Sequence, residues 1–476
     1  MNAILDMTLT ELSAHMDEGK ISSVDATKAC LDRIGKTAAL NNFLTVCESE
    51  ALSYAKEADA RRKNGEKGVL LGVPVAVKDN ISTLGIKTTC ASEFLNNYIP
   101  PFDAFVVKQL KKAGAVIVGK TNMDEFAMGC TNEHSAFGAV HNVHDTSRVS
   151  GGSSGGSANC VAAKQVFASL GSDTGGSIRE PASYCGVVGF KPTYSAVSRN
   201  GLIAFASSLD QIGPIARTCA DALQVLKVIS AHDGCDSTSV GLDNLPVNLD
   251  GSLKGKKIGV AKQFMSGADS DVLREYKRAI KTVEDMGGEI VEVSIQSFDA
   301  ALAVYYVLSS AEAASNLSRY DGVKYGRRAD GYKDINELYV KSRTQFFGDE
   351  VKRRIMIGNY VLSSGYYDAY YVRAAKTRTL IKDEYLRALD VCDALLCPTA
   401  PTAAPKIGEE AKPDKTYYSD IYTVPVNIAG LPAVSVPFGK ASDGMPIGMQ
   451  VIGRPYADGD ILAIGDCLCN GGGAKC

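Results

Sequence analysis

VLLGVPVAVKDN (residues 69–80) alternates Val73, Val75 and Val77 and predicts a β-strand. The strand ends at Lys78, before an Asp79-Asn80 turn. Downstream, DAFVVKQLKKAGAVIVGKT (103–121) reads as helix, turn, strand. The alternation returns with a helix at 158–164 and a strand at 166–170. It returns again with a strand at 257–261, a helix at 271–286 and a strand at 289–295. Upstream, the first 65 residues read as helical, with Ser22 and Ser23 as N-cap candidates for a helix through Ile34. Residues 300–390 read as mainly helical, and short strands follow at 433–438 and 448–453. Alternating strands and helices predict an α/β protein with a mostly parallel or mixed sheet. No internal repeat appears, and the polar stretch 236–254 reads as an insertion rather than a boundary.

The chain has 476 residues, long enough for a sizeable core. Lys+Arg number 51 and Asp+Glu 54, a net charge of −3, which argues against a globally basic nucleic-acid binder. No apolar run approaches the roughly 18 residues of a membrane span. The acidic start MNAILDMTLTELSAHMDEGK does not read as a signal peptide, so the expected place is cytoplasmic, with no membrane partner. The 13 cysteines are odd in number and scattered, which suggests reduced thiols. There is no CxxC, and no metal site is expected.

Two Gly/Ser-rich segments remain: SRVSGGSSGGSAN (147–159) and SLGSDTGGSIREPAS (169–183). A flexible linker is one reading of the first, but structured sequence brackets it. A phosphate cradle would need Gly-Lys-Ser/Thr after the glycines, and no lysine follows until Lys164. The segment also satisfies G-x-S-x-G around Ser153 or Ser154, the pattern of a nucleophile elbow. Of the five histidines only His232 lies downstream, so a Ser-His-Asp triad is poorly supplied. A lysine can activate serine instead, provided that burial keeps it neutral. Lys78, ending an apolar strand, suits that task. The plain alternative is a strand-end lysine reaching solvent.

Lys78, GGSSGG (151–156) and GSDTGGSIR (171–179) together resemble the amidase signature family. Lys78 to Ser153 is 75 residues and Ser153 to Ser177 is 24, the family's spacings. The resemblance extends through TTCASEFL (88–95), GKTNMDEFAMG (119–129), GVVGFKPTY (186–194), FASSLDQIGP (205–214) and SSGYYDAYY (363–371). Within the family these motifs are most similar to the glutamine-hydrolysing subunits of tRNA-dependent amidotransferases. The implied fold is α/β, a large mixed β-sheet core covered by helices on both faces. The implied organisation is a single amidase domain over 1–476: an N-terminal helical segment (1–65), a catalytic core (66–240) and the rest of the sheet with a helical substrate pocket (241–476).

The resemblance also implies roles. Ser177 would be the nucleophile, Ser153 a bridging serine after a cis peptide from Gly152, and Lys78 the base. Backbone N–H groups of Thr174, Gly175, Gly176 and Ser177 would face the developing oxyanion. Arg354 would hold the carboxylate of glutamine and Asp420 its ammonium, with Tyr305 nearby. By residue chemistry alone, Arg354 in EVKRRI (350–355) reads as part of a solvated helix face. No cofactor is expected in this chain. ATP and Mg2+ would serve at a partner subunit that handles misacylated tRNA, within a heterotrimer with the B and C subunits of the amidotransferase.

Two other readings stay open. One is a stand-alone amidase acting on small amides. The other is an inactive scaffold or RNA-binding subunit, since residues 339–387 interleave ten Lys/Arg and five Asp/Glu with tyrosines. Half-buried tyrosines on amphipathic helices are the plainer account of that stretch. The end, ILAIGDCLCNGGGAKC, reads as a frayed terminus where the resembled subunits continue as a helix.

Overall fold

The computed structural model describes residues 2–243, 245–246, 249, 251–409 and 418–472. Among these, eleven strands form one mixed sheet. In chain order they are β1 (Phe43–Val46), β2 (Pro74–Lys78), β3 (Val116–Thr121), β4 (Ala168–Asp173), β5 (Val188–Lys191) and β6 (Gln211–Ala216). Then come β7 (Lys257–Ala261), β8 (Glu289–Val293), β9 (Ala394–Pro398), β10 (Ala433–Lys440) and β11 (Pro446–Ile452). Their order across the sheet is β1-β3-β2-β4-β6-β5-β10-β11-β9-β7-β8. β2 runs parallel to both β3 and β4, and β7 parallel to β8 and β9, while the remaining pairs are antiparallel.

Strand alternation sorts the side chains into two cores. Val75, Val77 and Ile117 join one cluster, with Leu110 and Leu223 from the helices Phe105–Lys112 and Cys219–Ile229. Ala76, Val116 and Val118 join the other, with Ala51, Ala158 and Ala182 from three other helices. Strands buried on both faces carry apolar residues at every position, and each such valine contributes about 1.5–3 kcal/mol. Helices therefore lie on both faces, as the resemblance implies.

Most expected elements appear. Ser22 caps the helix Ser23–Lys36, its side chain accepting from the Asp25 N–H. The expected strand at 69–80 is shorter, Pro74–Lys78. Within the first 65 residues the expectation of helix alone fails, because Phe43–Val46 forms β1 at the sheet edge. The expected frayed end also fails among the described residues. The helix Asp458–Gly471 buries Ile461, Leu462 and Leu468. Eleven described cysteines are free thiols, but Cys469 is disulfide-bonded, so the thiols are not all reduced.

Candidate active site

Parallel pairing of β2 with β4 sets Val77 beside Leu170, so Lys78 and Ser172 emerge together at the carboxyl ends of neighbouring strands. Ligand sites of α/β sheets favour that edge. Lys78 is fully buried, and its Nζ has four oxygens in reach. They are Ser153 Oγ at 2.7 Å, Ser154 Oγ at 2.8 Å, Ser172 Oγ at 3.0 Å and the Ser172 carbonyl at 3.2 Å. Among the described residues no carboxylate touches it. Burial therefore dominates and lowers its pKa to about 7, against the weaker pull of Asp124, Asp173 and Asp210. The alternative of a strand-end lysine in solvent is excluded.

Ser153 follows a cis peptide bond from Gly152, as the resemblance implies. Its loop runs against the turn at Asp124, whose N–H donates to the Ser153 carbonyl at 3.2 Å. Glycines are required by the crowding. A Cβ on Gly152 would stand 2.0 Å from Asp124 Oδ2, and one on Gly156 would meet two carbonyl oxygens at 2.5 Å. Ser154 N–H donates to the Ser177 carbonyl at 3.1 Å, joining the two serine loops. Among the described residues the Ser177 hydroxyl receives no hydrogen bond, and none joins it to Ser153 Oγ.

Asp173 organises the loop that carries Ser177. Its carboxylate accepts from Gly176 N–H at 2.9 Å and Ile178 N–H at 3.1 Å. Arg179 grips the same carboxylate through Nε and Nη2, both at 3.0 Å. Burial pushes the Asp173 pKa up, but Arg179, Lys191 and Asn427 outweigh it and hold it at about 2. Arg179 also donates to Gln450, Asn427 and the Thr423 carbonyl. The Gly176 N–H, expected to face the oxyanion, donates here to Asp173. The N–H groups of Thr174, Gly175 and Ser177 donate to no described atom. Sequence reasoning missed this clamp, although Asp173 and Arg179 sit inside the quoted GSDTGGSIR.

Two of the three expected substrate residues, Tyr305 and Asp420, lie beside this loop. A Cβ on Gly175 would stand 2.7 Å from Tyr305 Cζ, and one on Gly176 would stand 2.9 Å from Asp420 Oδ1. Burial, then the nearby Asp173, raises the Asp420 pKa, and Arg354 offsets part of that. Arg354 is buried, unlike its exposed neighbour Arg353. It comes from the helix Asp349–Leu362, pairs with Glu350 at 2.7 Å and lies over the Tyr306 ring at 4.5 Å. The solvated-face reading of Arg354 is thus set aside. Among the described residues no group of three or more His, Cys, Asp or Glu is placed to hold a metal ion.

A buried lysine of lowered pKa, two serine loops and a glycine turn with open N–H groups form the outfit of an amide hydrolase. Comparison with known proteins agrees. The amidase family pattern matches residues 25–462. The chain is 51% identical over 466 residues to the A subunit of glutamyl-tRNA(Gln) amidotransferase from Thermoanaerobacter pseudethanolicus, covering 97% of this chain and 95% of that one. The crystal structure of the same kind of protein from Thermotoga maritima superposes with a TM-score of 0.80 at 42% identity, covering 97% and 93% of the two chains. The peptide amidase of Stenotrophomonas maltophilia superposes at 0.82 with 29% identity, over 98% and 97%. With site, fold and sequence in agreement, the chain belongs to the amidase family.

Proposed function

We propose that this chain is the glutaminase subunit of a tRNA-dependent amidotransferase, working as one amidase domain over 1–476. The Lys78–Ser153 hydrogen bond of 2.7 Å in full burial supports the hydrolytic chemistry. Similarity to the A subunits of glutamyl-tRNA(Gln) amidotransferases supports glutamine as substrate.

A proton inventory gives the direction of the relay. A neutral amine has two N–H bonds and one lone pair. Ser154 already donates to the Ser172 carbonyl at 3.0 Å, and Ser172 Oγ accepts from Asn80 Nδ2 at 2.9 Å. The Ser153 and Ser172 hydroxyls have no other described acceptor, and we assign the Lys78 lone pair to Ser153, the shorter contact at 2.7 Å against 3.0 Å. Ser153 Oγ then takes the proton of Ser177 as Ser177 Oγ attacks the amide carbon. Free enzymes often hold such contacts long and tighten them around substrate. The N–H groups of Thr174, Gly175 and Ser177 receive the oxyanion. The proton returns through Ser153 to the leaving nitrogen, and ammonia departs. Water hydrolyses the acyl-Ser177 ester and releases glutamate. Arg354 and Asp420 hold the carboxylate and ammonium of glutamine, with Tyr305 closing the pocket. A substrate ammonium also stabilises the charged form of Asp420 against its burial.

The ammonia would serve ATP- and Mg2+-dependent conversion of Glu-tRNA(Gln) to Gln-tRNA(Gln) at the partner B and C subunits. That places the chain in a cytoplasmic heterotrimer and needs no cofactor in the chain itself. Among the described residues no helix is long and apolar enough to cross a membrane. The test is mass-spectrometric mapping of the adduct formed with a glutamine-mimicking electrophile. We expect labelling of Ser177 that is lost in Lys78→Ala. An adduct on Ser153, Ser154 or a cysteine overturns the assignment. The resemblance to a peptide amidase supports a second reading, a stand-alone amidase. Faster hydrolysis of neutral amides than of glutamine would favour it.

A further inference from the structure

Glu125 is a buried carboxylate that the chemistry above does not use. It lies in the turn Glu125–Ala127, directly after Asp124, whose N–H holds the Ser153 carbonyl. One oxygen of Glu125 accepts from Ser92 Oγ. The other accepts from the Gly348 N–H at 2.7 Å. Gly348 is the N-cap of the helix Asp349–Leu362, and its own position supplies no side-chain cap. Glu125 therefore caps this helix from outside, through a carboxyl group whose pKa burial raises to about 7. Gly348 is tightly seated, since a Cβ there would stand 2.3 Å from Glu125 Oε2. Phe94, Phe126, Phe346 and Phe347 pack around the junction. Glu350, which pairs with Arg354, is two residues beyond Gly348.

Two consecutive residues thus touch the two halves of the site. Asp124 holds the Ser153 loop, and Glu125 holds the helix that carries Arg354. We infer that Glu125 is a positioning residue that keeps Arg354 in register with the Lys78–Ser153 centre and so sets affinity for the carboxylate end of the substrate. This rests on the assignment of Arg354 to the substrate carboxylate.

The test is glutamine-dependent ammonia release by the chain assembled with its partner subunits. Glu125→Ala should raise KM about tenfold and leave kcat within about threefold. Glu125→Gln keeps an acceptor for the Gly348 N–H and should raise KM only about threefold. If the alanine variant does not fold, the glutamine variant decides alone. A structural role would lower kcat through a smaller active fraction at fixed KM, and that pattern overturns the inference. So does an unchanged KM in a variant that melts like the parent. Arg354→Lys, measured alongside, separates the levels. If it raises KM and the Glu125 variants do not, only this inference fails. If it leaves KM unchanged, the pocket assignment fails and this inference with it.

Discussion

Two lysines stand side by side in this sheet, both without solvent, and they are held in opposite ways. Lys78 ends β2, and Lys120 sits one residue from the end of the parallel neighbour β3. Lys120 Nζ lies 3.4 Å from the Asp79 carboxylate and donates to Thr88 Oγ1 and the Ile81 carbonyl at 2.7 and 2.8 Å. Among the described residues Lys78 hydrogen-bonds only hydroxyls and a carbonyl. Burial lowers both, but at Lys120 the Asp79 charge pulls back toward the ammonium form. Equal burial therefore yields a structural ion pair where a carboxylate is adjacent, and an amine poised to take a proton where it is not. One strand position separates the two outcomes.

The comparison is open to attack at each end. The largest effect is expected from Lys78→Met, which removes the proton acceptor. We expect kcat to fall about 10²–10⁴-fold with the fold intact. Steady-state ammonia release together with circular dichroism checks this, and a loss under tenfold would remove Lys78 from the chemistry. Next comes Lys120→Met, which strands the buried Asp79. Its cost should be stability, about 3–5 kcal/mol, seen as a lower midpoint in urea. Lys120→Met with Asp79→Leu should recover most of that loss, because removing both partners avoids the lone buried charge. No recovery would mean that the pair does more than balance charge. The smallest effect is on pH. Lys78 acts as a base only when neutral, so kcat/KM should climb up to tenfold per unit below about pH 7 and level off above it. A profile flat from pH 5 to 9 would contradict the contrast.

Much of this was legible beforehand, and particular residues show where legibility stopped. Alternation of Val73, Val75 and Val77 marks β2, because strand side chains face opposite cores in turn. The N-cap at Ser22 is a local rule, met locally. β1 was hidden because four residues between helices carry too short a period, and its strand state depends on pairing with β3. Arg354 could not be told from Arg353 by chemistry. Packing of the helix Asp349–Leu362 against the helix Ala301–Asn316 buries one and not the other. The Asp173 clamp was out of reach for a similar reason. Asn427, from the helix Val424–Ala429, and Gln450, from β11, come from more than 240 residues away and meet Arg179 only in the folded chain.

That separation along the chain also sets a timetable. A growing polypeptide emerges from the ribosome with Lys78, Ser153 and Ser177 long before Thr423, Asn427 and Gln450. Until those last groups arrive, Arg179 lacks three of its acceptors and the loop bearing the nucleophile has no finished scaffold. A chain cut short before Thr423 would hold every reactive group of the proposed relay and still lack these three partners of Arg179.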